Sequence, residues 1–97
     1  MIHFDDGALA DLEHIFGFNL EVDAEWAERQ IESIRTAVTI LNDHPHIGRP
    51  VPNSEIRELV ISVGKTGFIA LYQYEEIDDL VRILAVRHQG EAGYRGR

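Results

Sequence analysis

Two helical periodicities followed by three alternating stretches lay out the chain. Ala8, Leu9, Leu12, Ile15 and Phe16 recur at spacings of three and four, which puts them on one helix face. They predict a helix over about 7–18. Asp5 or Asp6 is its expected cap, because a carboxylate accepts from the free N–H groups of a helix start. Asp23 opens a second helix, whose apolar stripe is Ala24, Ala27, Ile31, Ile34, Val38 and Leu41. That helix should end near Asn42–Asp43, ahead of Pro45. The short linker between the two implies an antiparallel hairpin. Trp26 lies beside the stripe and reads as core or rim packing.

The rest is written in strands. Ile2–Phe4 is a short apolar start suited to a sheet edge. Leu59, Ile61 and Val63 alternate within 57–63, and Phe68, Ala70, Tyr72 and Tyr74 within 68–74. Residues 80–86 are aliphatic on both faces, as expected of a central strand. Gly64–Gly67 and the acidic run Glu75–Asp79 are turns short enough to make their flanking strands antiparallel. The loop 44–52 holds all three prolines, and Gly48 within it is expected to take a positive φ. The order β-α-α-β-β-β predicts an α+β fold. Its expected form is an antiparallel twisted sheet with the helical hairpin packed on one face.

Composition narrows the chemistry. A chain of 97 residues fits a single domain, 1–97, without room for an enclosed cofactor, so no cofactor is expected. The absence of cysteine excludes disulfides, thiolate metal sites and a cysteine nucleophile. His44 and His46 offer only two nitrogens in a turn, so no metal site is expected; the acidic run 75–79 reads as a solvated hairpin tip. No apolar run reaches the roughly 18 residues of a membrane span, and the acidic start is unlike a secretory signal. A cytoplasmic location is therefore expected. The net charge of −8 argues against general nucleic-acid affinity. It is also uneven. Residues 1–48 hold 10 acids and 2 arginines, whereas 49–97 hold 7 acids and 7 bases. Any polyanion would be met by the second half.

The last strand changes character where it ends. After Val86 come Arg87, His88, Gln89 and Gly90, and then Tyr94 and Arg95 in a Gly-rich stretch. A rigid strand thus delivers a cation and an imidazole to one end of a sheet, a common way of holding functional groups. The tail 89–97 is expected to be mobile when unbound.

With these segments in place, the chain resembles the RelE/ParE superfamily of toxins from type II toxin–antitoxin systems. The resemblance rests on Ala10-Asp11-Leu12-Glu13-His14-Ile15 and on Ile34–Leu41 leading into Pro45-His46-Ile47-Gly48-Arg49-Pro50. It continues through Ile56-Arg57-Glu58-Leu59 and Gly67-Phe68-Ile69-Ala70-Leu71-Tyr72, and ends at Ile83-Leu84-Ala85-Val86-Arg87-His88. It implies growth arrest or plasmid stabilisation by the free toxin, and neutralisation by a cognate antitoxin, often in a two-plus-two heterotetramer. It also implies one of two targets. The RelE-like branch cuts ribosome-bound mRNA as a metal-independent endoribonuclease, and the ParE-like branch poisons DNA gyrase without chemistry. A third alternative is a toxin fold that has lost toxicity.

For cleavage, the resemblance assigns His88 as acid or base and Tyr94 as a base-stacking or phosphate-orienting group. Arg57 and Arg82 would clamp the phosphate, with Arg49, Arg87 and Arg95 as further substrate contacts. Arg82 is expected on the face of His88, since even separations along a strand share a face. Ile69 and Leu59 stand where the nuclease branch carries cations.

Overall fold

The computed structural model describes residues 1–89. Residues 90–97, with Tyr94 and Arg95, lie outside the described residues. The elements are β1 (Ile2–Phe4), α1 (Asp6–Leu20), α2 (Ala24–Val38), a 3₁₀ turn (Thr39–Asn42), β2 (Arg49–Pro50), β3 (Arg57–Val63), β4 (Thr66–Glu75) and β5 (Leu80–His88). The strands form one sheet in the order β1-β5-β4-β3-β2. The expected β-α-α-β-β-β order is present, with β2 as an added two-residue strand inside the proline loop.

The antiparallel expectation holds for β3, β4 and β5 but not for the whole sheet. β1 is the expected edge strand, yet it runs parallel to β5, with Ile2 beside Val81 and Phe4 beside Ile83. The helical hairpin and β2–β4 all lie between them in sequence, which leaves ample chain for the crossover that a parallel neighbour needs. Both helices pack on one face. Ala8 and Leu12 of α1 and Ile34 and Val38 of α2 are buried against Ile61, Phe68, Ala70, Tyr72, Val81, Ile83 and Val86. Burying each larger aliphatic or aromatic side chain contributes about 1.5–3 kcal/mol.

The caps differ. Asp23 Oδ1 accepts from the backbone N–H groups of Glu25 at 2.9 Å and Trp26 at 3.3 Å, as its side chain predicted. Asp5 occupies the cap position of α1, but its side chain makes no cap hydrogen bond. It is drawn instead to Arg82, whose Nη2 donates to Asp5 Oδ2 at 2.9 Å. The Arg82 guanidinium, a bidentate-capable cation, competes with the backbone N–H groups of the helix start for the same carboxylate.

The stripe of α2 departs from its prediction at its start and gains a polar member. Ala24 is exposed and Gln30 buried, so the buried positions are Ala27, Gln30, Ile34 and Val38, with Ile31 partly buried against the core. The α-helix closes at Val38, and the 3₁₀ turn carries Leu41 into the core before Pro45.

β5 contains the feature that most changes the site. Ala70 pairs with Val86 and Leu71 with Ala85, but Tyr72 pairs with Ile83, so Leu84 is an extra residue. Such a bulge shifts the alternation of side chains by one. It lies just beyond the end of β1. The N–H of Asp5 still donates to Ile83 O at 2.9 Å, and beyond the bulge Asp11 Oδ2 accepts from the N–H of Val86 at 2.9 Å. A helix carboxylate thus replaces β1 along the edge of β5.

Candidate functional site

The helix-covered face of the sheet ends differently at its two extremities. At the loop end, Tyr72 is fully buried. Its hydroxyl donates to Pro45 O at 2.8 Å and accepts from the N–H of Gly48 at 2.8 Å. Arg57, beside Tyr72 in the register, donates from Nη1 to His46 O at 3.1 Å and Gly48 O at 2.8 Å. Burial holds the Tyr72 phenol above its ordinary pKa, opposed by the Gly48 hydrogen bond and the Arg57 charge. Gly48 does not take the expected positive φ; among the described glycines only Gly64 does, at 61°. Glycine is needed at 48 for space, because a Cβ would stand 2.6 Å from the Tyr72 ring and 2.8 Å from Glu58 O.

At the opposite end the same face is open. His88 pairs with Phe68, and their rings meet edge to face at 5.3 Å between centroids. Both line a cavity of 330 Å³ together with Phe18, Asn19, Trp26 and Gln30. Trp26 is half-buried, consistent with a rim position, and Arg29 stands 5.7 Å over its ring.

These positions separate the proposed catalytic groups. Arg57 and His88 share a face, but their β4 partners Tyr72 and Phe68 are four residues apart, about 13 Å along a strand. Arg82 does not share the face of His88 as expected. It pairs with Gln73, on the side away from the helices, because the bulge at Leu84 reverses parity between Arg82 and His88. There it bridges Asp5 at 2.9 Å and Glu75 at 3.5 Å. The hydrogen bond to Asp5 is the largest cause of a pKa raised above the usual guanidinium value. His3 Nε2 stands 3.5 Å from Asp5 Oδ1, a buried oxygen with no hydrogen-bond partner among the described residues.

The remaining cations are dispersed as well. Arg87 lies on the helix-free face beside Ile69, 3.9 Å from Asp11. Arg49 is exposed on β2 and pairs with Glu58 at 2.8 Å. Among the described residues, no three His, Cys, Asp or Glu side chains cluster to hold a metal ion, and no helix is long and apolar enough to cross a membrane.

The sequence reading missed Gln30 and Asn19 as cavity residues. A signal was present: Gln30 falls three residues after Ala27 and four before Ile34, a polar residue at a core spacing. Sequence spacing could not reveal that two helices and two strand ends would leave a hollow around it.

Comparison with known proteins agrees with this architecture. The chromosomal ParDE toxin–antitoxin system from P. aeruginosa contains a chain that superposes with a TM-score of 0.72 at 20% identity, covering 90% of this chain and 92% of that one. The intact E. coli RelBE toxin–antitoxin complex contains one that superposes at 0.60 and 13% identity, covering 90% and 93%. No curated protein sequence matches significantly. The family model of the ParE toxin of type II toxin–antitoxin systems, parDE, matches residues 2–93. The chain therefore belongs to the ParE toxin family of type II toxin–antitoxin systems.

Proposed function

We propose that this toxin acts by binding its target without chemistry of its own, that the target is DNA gyrase, and that a cognate antitoxin protein holds it inactive. The observation that carries the reading is the dispersal of the candidate catalytic groups. Cleavage through a ribose hydroxyl needs a base, an acid and cations around one phosphate. Here Arg57 is committed to loop carbonyls, Arg82 to carboxylates on the other face, and His88 lies about 13 Å along the strand from Arg57.

Family and charge support the same reading. The match is to ParE toxins, and a net charge of −8 is poorly suited to docking on ribosomal RNA. The similar solved chains come from a ParDE toxin–antitoxin system and a RelBE toxin–antitoxin complex, which supports an antitoxin partner. Action on gyrase also requires the cytoplasm.

The test is a supercoiling assay with purified gyrase and the full chain. The chain should inhibit supercoiling, and its cognate antitoxin should relieve the inhibition. An active gyrase unaffected by an excess of the chain would refute the target.

A further inference from the structure

The cavity at the hairpin tip has a composition that the binding reading alone does not explain. Its walls include Phe18, Trp26 and Phe68, and His14, Asn19, Gln30, Thr66 and His88 supply polar groups. Gln30 is only 2% exposed. A primary amide that deep is costly unless its hydrogen-bonding groups are used. Its Oε1 accepts from Asn19 Nδ2, and the same Nδ2 donates to Ile15 O at 3.0 Å. Both Asn19 protons are thereby committed, which fixes how the two amides are turned. Gln30 Nε2 keeps its protons, with no acceptor among the described residues, on a side chain that lines the cavity. Aromatic walls with the Gln30 amide donor left without an acceptor among the described residues suit a ring that carries an acceptor at its edge.

We propose that this cavity receives a tyrosine side chain of the toxin's target protein, its hydroxyl accepting from Gln30 Nε2. The proposal rests on the reading of the chain as a binding toxin. Phenylalanine would leave the donor unpaired, and tryptophan offers only another donor. The surroundings favour a protein over a free small molecule. Phe18 is 70% exposed and Val22 78% exposed at the hairpin tip, an apolar margin wider than one ring. Exposed Glu21, Asp23 and Glu25 make the turn negative, so the tyrosine belongs to a basic segment of the partner. A buried aromatic anchor within an apolar margin is the usual form of a binding hot spot.

Two experiments test the two halves. In the first, isotope-labelled full-length chain is titrated with p-cresol and with toluene, and NMR follows the Gln30 side-chain amide and the Trp26 indole N–H. p-Cresol should shift both saturably and bind at least fivefold more tightly than toluene. Gln30→Met should erase that preference while toluene still binds. Equal affinities in the wild-type chain, or no saturable shift at either group, would overturn the site.

In the second, Phe18→Asp, an exposed change that preserves the fold, is expressed in growing cells. It should need at least tenfold more expression to arrest growth. Arrest at the wild-type level would overturn the docking role. Neither readout involves gyrase, so a failed supercoiling assay would reject the target and leave the cavity to be judged separately.

Discussion

The two ends of the helix-covered sheet face put similar residues to opposite uses. At the loop end, a buried aromatic ring and a cation are spent on the chain itself: Tyr72 and Arg57 together satisfy Pro45, His46 and Gly48. At the hairpin end, Phe68, Trp26 and His88 surround a cavity, and the amide of Gln30 is only half used. The contrast teaches that a cation in a toxin fold is not evidence of catalysis until its partners are known. Arg57 looks like a phosphate clamp in the sequence, and it clamps two carbonyls in the structure.

Substitutions at the closed end should cost stability, while those at the open end should spare it. Gly48→Val has the largest expected effect. The added side chain meets Tyr72 and the Glu58 carbonyl at once, and denaturant unfolding should show a loss of about 3 kcal/mol, high in the range for overpacking. Tyr72→Phe keeps the ring but leaves the buried Gly48 N–H without its acceptor, for a loss of about 1–3 kcal/mol by the same measurement.

The Tyr72 hydroxyl also gives the closed end a pH signature. Its folded pKa lies above its unfolded value near 10, so the folded state holds the proton more tightly. The associated stability is complete below about pH 10 and is lost as pH rises through the folded pKa. Tyr72→Phe should flatten that alkaline decline in a series of unfolding curves. Arg57→Met should cost about 1 kcal/mol through its lost carbonyl bonds. At the open end, Phe18→Asp should change stability by less than about 0.5 kcal/mol, as expected of an exposed site. A large loss there would mean that the hairpin tip is structural and that the two ends are alike.

Most of the fold was legible because hydrophobic period reports it directly. Ala8 and Leu12, then Ile34 and Val38, then the alternation Phe68–Ala70–Tyr72, all face the core as their spacing predicts. What spacing could not carry was anything that depends on a neighbour. The bulge at Leu84 occurs just past the end of β1, and it moved Arg82 to the face opposite His88. The missing side-chain cap at Asp5 depends on Arg82, which is 77 positions away in sequence. The requirement for glycine at 48 comes from the Tyr72 ring and the Glu58 carbonyl rather than from its own φ. Candidate site residues suffered most for this reason, since a site is a set of neighbours.

The central claim is that the toxin binds and does not cut. It is tested most directly by mapping cellular mRNA 5′ ends after brief induction of the wild-type chain and of His88→Ala. The account predicts growth arrest by the wild-type chain, with no new 5′ ends from either chain. New ends inside codons at ribosomal A sites, present with the wild type and absent with His88→Ala, would contradict it and make His88 a catalytic residue.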